Sequence, residues 1–251
     1  MMMGWWRAAA RLAPDLAVDW VFSSKPVPTG AYADYHEKMR AYVRILGGHA
    51  RAIDPSATAQ THAVIEADPD ESVFHYLDTA TSRAGIGVAA EKLALERVAI
   101  VGTGGTGSYV LDLVAKTEVR EIHLFDGDDF LSHNAFRAPG AASLEALRAR
   151  PKKVTHLADQ YAAMRRGVIP HPYDIGGSNV AELGEMDFVF LCLDPRPAKR
   201  VIVETLEQCG VPFIDGGRGV ELLEGSLRGT LRVTMSTRRA RRLSSRARRL
   251  A

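Results

Sequence analysis

The stretch Arg97–Ser108, RVAIVGTGGTGS, runs a β-branched apolar segment directly into Gly102, Gly104 and Gly107. These glycines fit the pattern G-x-G-x-x-G, after a strand and at the mouth of a helix predicted over about 105–116. Glycine lets a backbone approach a phosphate closely, and the free N–H groups and dipole of a helix N-terminus stabilise its negative charge. Asp126 closes the next apolar run, EIHLFD, 19 residues after Gly107. Its carboxylate stands where it can accept hydrogen bonds from ribose hydroxyls. Loop and carboxylate together point to a nucleotide.

From Val98 onward, apolar runs alternate with helical segments: VAIVG, IHLFD, VIPHPYDI, DFVFLCLD and VPFID. The alternation predicts an α/β fold, a Rossmann-like, mostly parallel sheet with helices on both faces. DFVFLCL is apolar on both sides, as a doubly covered strand should be. GVELLEG and SLRGTLRVT predict a C-terminal antiparallel hairpin. Residues 1 to about 95 lack a clean period, and SSKPVPTG, AIDPSAT and EADPDES mark loops. Between them the spacing predicts a helix over 32–46, with Tyr35, Met39, Tyr42, Val43 and Leu46 forming a core-packing stripe. A second helix is predicted from Glu71 to about Thr79. The expected organisation is a small α-rich N-terminal extension over 1–82, a nucleotide-binding domain over 83–236 and an arginine-rich tail over 237–251.

The 251-residue chain, 46% hydrophobic and 25% charged, has the composition of an ordinary globular protein. No apolar run reaches the roughly 18 residues of a membrane span. At the start, MMMGWWRAAARLAP, Arg7 and Arg11 interrupt any signal-peptide core, and a cytoplasmic location is expected. Two cysteines, Cys192 and Cys209, exclude a four-cysteine zinc site within the chain and argue against a disulfide framework. The net charge of +2 hides a division: residues 238–251 hold seven arginines and no acid, while the remainder carries 25 basic and 30 acidic residues. Such a tail reads as an anion-binding arm, as a solvated segment, or as out-of-frame translation after a truncation. The last is favoured because composition changes abruptly there, and nucleic acid is not the expected partner.

A dinucleotide oxidoreductase shares the glycine loop, but it gives no reason for the polar residues beyond the second strand. Asp126 leads into DGDDFLSHNAFR, with Asn134 and Arg137 three residues apart, and then into RPKKV, with Lys153. Two cations and an amide thus lie past that strand, on the phosphate side. A triphosphate under attack needs charge neutralised on its leaving group. Asp194 ends DFVFLCLD at the carboxyl edge, where such sheets bind ligands, and offers a hard oxygen to Mg²⁺.

GTGGTG, Asp126-x-Asp128, Asn134-x-x-Arg137, Lys153 before Val154 and Cys192-Leu-Asp194 resemble, in order and spacing, the ThiF, MoeB and ubiquitin-activating enzyme superfamily. The resemblance covers about Arg83 to Thr234 and implies a chain shortened at both ends. It implies ATP-dependent adenylation of the C-terminal carboxylate of a ubiquitin-like or sulfur-carrier protein, with Mg²⁺, by a homodimer. In that scheme Gly102, Gly104, Gly105 and Gly107 cradle ATP and Asp126 holds the ribose. Asn134, Arg137 and Lys153 face the phosphates, Asp194 positions the metal, and Arg83 reaches toward the partner subunit's ATP. The N-terminal part resembles uncharacterised bacterial ThiF-type proteins with an extra N-terminal domain. The remaining alternatives are an NAD(P)- or FAD-binding oxidoreductase and a catalytically inactive scaffold of the same fold.

Other residues carry plainer readings. His123, His133, His156 and His171 each stand alone in sequence, without a second ligand at metal spacing. Arg165 and Arg166 read as a solvated helix end, and Asp128 and Asp129 as turn or solvated residues rather than ligands, with Asp128 also placed to assist the metal. Gly216 and Gly217 read equally as a turn or as the edge that receives an extended peptide tail. Cys192, inside a predicted buried strand, and Cys209, near a helix end, lack the electropositive exposed setting of a thioester cysteine. Pro195 follows Asp194 where relatives in the superfamily often carry asparagine.

Overall fold

In Arg97–Val101, Val98 and Ile100 point to one side and Ala99 and Val101 to the other, and all four are buried. A strand apolar on both faces needs a layer on each. A computed structural model describes residues 2–13, 16–60, 64–194 and 197–237. Pro195 and the arginine-rich segment 238–251 lie outside the described residues. The chain divides into two compact units, Met1–Ala63 and Val64–Ala251.

In the first unit, strands β1 (Met2–Ala13) and β2 (Leu16–Lys25) pair antiparallel, and helix α1 spans Tyr35–Ile53. The α-rich expectation missed this hairpin. Asp34 caps α1 by accepting from the Glu37 N–H at 2.7 Å, and the Glu37 carboxylate accepts from the Ala33 N–H at 2.7 Å. The helix continues through Gly47 and Gly48, beyond its predicted end. Its predicted core stripe is overturned: Tyr35, Met39, Val43 and Leu46 are all exposed, and Ala41 is the buried position. Only Tyr42 turns inward, accepting from the Ser24 N–H at 3.3 Å and meeting Tyr32 edge-on.

In the second unit the elements run α2 (Ala80–Ala84), α3 (Gly87–Glu91), β3 (Arg97–Val101), α4 (Gly105–Val114), β4 (Glu121–Phe125), α5 (Ser132–Ala135), α6 (Leu144–Ala149), α7 (Lys153–Ala162), β5 (Val168–His171), a 3₁₀ turn (Val180–Glu185), β6 (Phe188–Leu191), α8 (Pro197–Cys209), β7 (Phe213–Leu223) and β8 (Ser226–Ser236). The sheet order is β5-β4-β3-β6-β7-β8, parallel except for the β7–β8 pair. On one face Ala99, Val101, Val189, Leu191 and Phe213 pack with Leu183 of the 3₁₀ turn and with Ile202 and Leu206 of α8. On the other, Val98, Ile100, Ile122 and Leu124 pack with Leu111 of α4 and with Val154, Leu157 and Tyr161 of α7. Each fully buried Leu or Ile contributes about 1.5–3 kcal/mol.

Two expectations about this unit fail. Residues 71–79 form no helix; Phe74 bridges to Arg165, the His75 N–H donates to Met164 O at 3.0 Å, and the Arg166 N–H donates to Val73 O at 2.8 Å. Arg165 is 1% exposed rather than solvated. Its guanidinium donates to the carbonyl oxygens of Ala115, Thr117, Val119 and Arg120, in the connection from α4 to β4, and of its neighbour Arg166. Burial pulls its pKa down to about 10, so the group stays charged at neutral pH. The Arg166 guanidinium donates to Ser72 O and Phe74 O. The 72–75 segment, bridged through backbone to Arg165 and accepting from Arg166, overrides local helix propensity.

Candidate functional site

The glycine loop joins β3 to α4 under tight steric limits. Gly102 has φ +87°, and its N–H donates to Phe125 O at 2.8 Å. A Cβ here would lie 2.9 Å from the Cys192 carbonyl oxygen, so two conditions select glycine. At Gly107 a Cβ would run into the Gly102 carbonyl, because the first turn of α4 sits on the strand end. Gly104 precedes α4 with φ −68°, and nothing lies within 4 Å of where its Cβ would be. The backbone there faces open space, as phosphate contact requires.

Asp126, 7% exposed, ends β4 and is tied to this loop. Its Oδ2 accepts from the Thr103 N–H at 2.8 Å and the Thr103 hydroxyl at 3.1 Å, while Oδ1 accepts from the Asp128 N–H at 3.0 Å. Lys153, also 7% exposed, opens α7. A cation is disfavoured at a helix N-terminus. Its ammonium is held there by Asp128 Oδ2 at 2.6 Å and Asp126 Oδ1 at 3.5 Å. Asp128 is thereby more than a turn residue. Asn134 is buried, and its Oδ1 accepts from the Leu131 N–H at 2.9 Å, so the donor end of the amide is what it offers to a ligand.

These groups meet at the carboxyl ends of the strands, around a cleft of about 730 Å³. Gly102, Gly104, Gly105, Asp126, Asn134, Arg137, Lys153 and Asp194 all line it. Arg137 and Asp194 are exposed. Gly107 lies beneath the loop, and Arg83, exposed on α2, is not part of the lining. Among the described residues no three His, Cys, Asp or Glu side chains form a metal-holding group. Asp194 is a single carboxylate, a donor set that suits Mg²⁺ carried on phosphate oxygens and water better than an ion caged by protein.

The cleft also holds residues that the sequence reading passed over. Asp215, at the carboxyl end of β7's parallel pairing, lies 2.5 Å from Lys199 Nζ and 3.2 Å from Arg232 Nη2. The signal was available: VPFID ends in an acid at the sheet edge, as IHLFD and DFVFLCLD do. Cys192 follows β6 rather than sitting inside it, and lines the cleft. Burial, with Asp215 adding and Lys199 opposing, pushes its thiol up to about 11, which leaves it protonated and a poor nucleophile.

The histidines do not all stand alone. His123 Nδ1 and His171 Nε2 are 3.0 Å apart, His171 Nδ1 is 3.0 Å from the Tyr173 hydroxyl, and that hydroxyl donates to Glu182 at 2.8 Å. His171 stacks on Phe125, and burial, then the neighbouring His123, holds its pKa below the usual range. His156 stacks on Phe130.

No curated protein matches the sequence. Among solved structures, Escherichia coli tRNA N6-threonylcarbamoyladenosine dehydratase, TcdA, is 22% identical, with 56% of this chain and 64% of that one covered and a TM-score of 0.47. The same enzyme in complex with ATP matches at 22% identity, over 56% of this chain and 63% of that one, with a TM-score of 0.47. E. coli MccB with succinimide is 20% identical over 53% of this chain and 41% of that one, with a TM-score of 0.47. The chain therefore spans less than two thirds of these proteins. A family described as a domain of unknown function (DUF6791) matches residues 5–79. The ThiF family matches residues 79–235, more than half of the chain, including the glycine loop, the cleft and the hairpin. The chain is a member of the ThiF family.

Proposed function

We propose that the cleft binds Mg-ATP and that the protein adenylates a carboxylate, the C-terminal carboxylate of a ubiquitin-like or sulfur-carrier protein. The carrying observation is the convergence of Asp126, Asn134, Arg137, Lys153 and Asp194 around one open glycine loop. A carboxylate oxygen attacks the α-phosphorus, the acyl–O–P bond forms, and the bond to pyrophosphate breaks. The attacking group is already ionised, so no general base is required. Catalysis then comes from positioning and electrostatics.

In this reading the loop N–H groups hold phosphate oxygens and Asp126 accepts from the ribose. The Asn134 amide donates to phosphate, and Lys153 and Arg137 offset charge building on the leaving group. Asp194 is the carboxylate that would hold Mg²⁺, which supplies further charge neutralisation when bound. Arg83, exposed on α2, is read as reaching the nucleotide of a second copy in a homodimer. The half-buried, protonated Cys192 and the absence of Cys209 from the cleft lining favour adenylation without a thioester step.

Calorimetry with Mg-ATP and with NAD tests the binding, and ATP–pyrophosphate exchange with candidate carrier proteins tests the chemistry. Mg-ATP binding without NAD binding is expected. Asp194→Ala should lower exchange by about 10²-fold or more. Preference for NAD, or exchange that survives Asp194→Ala, overturns the reading.

A further inference from the structure

We propose that His171 is a positioning residue for the cleft, tying β4 to the cleft wall beside Asp126 while it is uncharged and releasing that wall when it gains a proton; this rests on the nucleotide reading of the cleft. The wall is the segment that follows β5. Asp174 and Ile175 line the cleft, and Asp174 Oδ1 accepts from the Gly127 N–H at 3.0 Å, one residue beyond Asp126. Tyr173, immediately before them, is held through its hydroxyl in a closed polar ring. Arg97, at the start of β3, pairs with Glu121 on β4 and with Glu185 of the 3₁₀ turn, each at 3.2 Å. Glu121 lies 3.3 Å from His123 Nε2, His123 Nδ1 lies 3.0 Å from His171 Nε2, and His171 Nδ1 lies 3.0 Å from the Tyr173 oxygen. Tyr173 donates to Glu182 of the same 3₁₀ turn at 2.8 Å, which closes the ring.

Only one placement of hydrogens satisfies these contacts. An ionised carboxylate accepts and cannot donate, so the single hydroxyl hydrogen of Tyr173 goes to Glu182, and the Tyr173 oxygen accepts from His171 Nδ1–H. Uncharged His171 then has a bare Nε2, which accepts from His123 Nδ1–H. One extra proton on the pair belongs on His123 Nε2, where it faces the Glu121 carboxylate. A further proton, on His171, would set two N–H groups against each other at 3.0 Å. The link between the rings is then lost, and with it the tie from β4 to Tyr173. Glu121 and Glu182 contact the outer ends of this chain, and Arg97 and Glu185 lie beyond Glu121, so none of these charges relieves the clash. On its ring face His171 meets Phe125, an apolar residue of the cleft lining, at 4.2 Å. Burial, then His123, with Glu182 opposing, holds His171 below the ordinary histidine range. The tie is therefore complete above the ordinary histidine value and is lost as pH falls through the lowered one.

The test is calorimetry of the full chain with Mg-ATP at about pH 8 and about pH 5, on either side of the ordinary histidine range. His171→Asn is the reference, because ATP itself titrates between these values while the amide keeps a donor for Tyr173 and takes no proton. On acidification the wild-type chain should lose about three- to tenfold more affinity than His171→Asn, the loss expected from one hydrogen bond. Tyr173→Phe, at an exposed position, should bind about two- to fivefold more weakly at the higher pH and share the flat response of His171→Asn. Thermal melts at both pH values check that each variant folds. A role in packing alone would weaken binding without flattening its pH dependence. Equal losses in wild type and His171→Asn overturn the inference, as does wild-type affinity in Tyr173→Phe. Nitrogen-15 spectra of labelled histidine should show uncharged His171 with its hydrogen on Nδ1, and a hydrogen on Nε2 overturns the tie. Failure of Mg-ATP to bind the wild-type chain at either pH defeats the nucleotide reading instead, and the spectra still decide the tie.

Discussion

Lys153 and Arg232 each pair with an aspartate at the sheet edge, yet the Lys153 side chain is 9% exposed and that of Arg232 61%. The contrast extends to everything around them. Lys153 opens a helix packed on the sheet by Val154 and Leu157, and one of its two carboxylates, Asp126, is tied to the glycine loop through Thr103. Arg232 sits on the last strand, in a hairpin whose other face leaves Val220, Leu222, Leu227, Leu231 and Val233 exposed. In the proposed reading the buried side holds the nucleotide, whose fixed shape suits a preformed frame. One side of the cleft is fixed by packing; the other is held mainly by backbone pairing.

The largest expected effect tests the packed side. Arg165→Met leaves five carbonyl oxygens without their donor and should cost about 3–5 kcal/mol in denaturant unfolding. A loss below about 1 kcal/mol would break the claim that these contacts hold the segment after α7 to the connection before β4. Next comes a pair of glycine variants. Gly107→Ala drives a methyl into the Gly102 carbonyl and should cost about 1–3 kcal/mol, with weaker Mg-ATP binding. Gly104→Ala meets open space at φ −68° and should leave stability unchanged, so any loss it shows is in nucleotide binding. Equal destabilisation by the two would remove the distinction between the packed and the ligand-facing glycine. The smallest effect belongs to the hairpin. Leu231→Thr, at an exposed position, should move stability by no more than about 0.5 kcal/mol. A larger loss in the same unfolding measurement would mean that the outer face is packed in solution.

Much of this was legible beforehand for a definite reason. Strands β3 and β6 are apolar on both faces, and β3 and β4 run directly into glycine or acid at the sheet edge; both are local patterns. Arg165 was misread because a pair of arginines at a helix end looks solvated until the carbonyls of another segment close around it. The stripe on α1 was misread from the other direction. Helical spacing identifies a face, but only the neighbouring elements determine whether that face is covered, and in its unit Tyr35, Met39, Val43 and Leu46 remain exposed. The Lys199–Asp215–Arg232 cluster escaped because its members come from α8, β7 and β8, with no fixed spacing to search for.

By itself, then, the sequence determined the doubly covered parallel sheet, the strand-to-helix glycine turn and the acids at the strand ends. These arise from periodicity, from backbone sterics and from the need to end an apolar run in water. Tertiary structure decided which cations become buried, which carboxylates they share and which side of the cleft stays open. Charges are stabilised by neighbours brought together through folding, and those neighbours lie tens of residues apart along the chain.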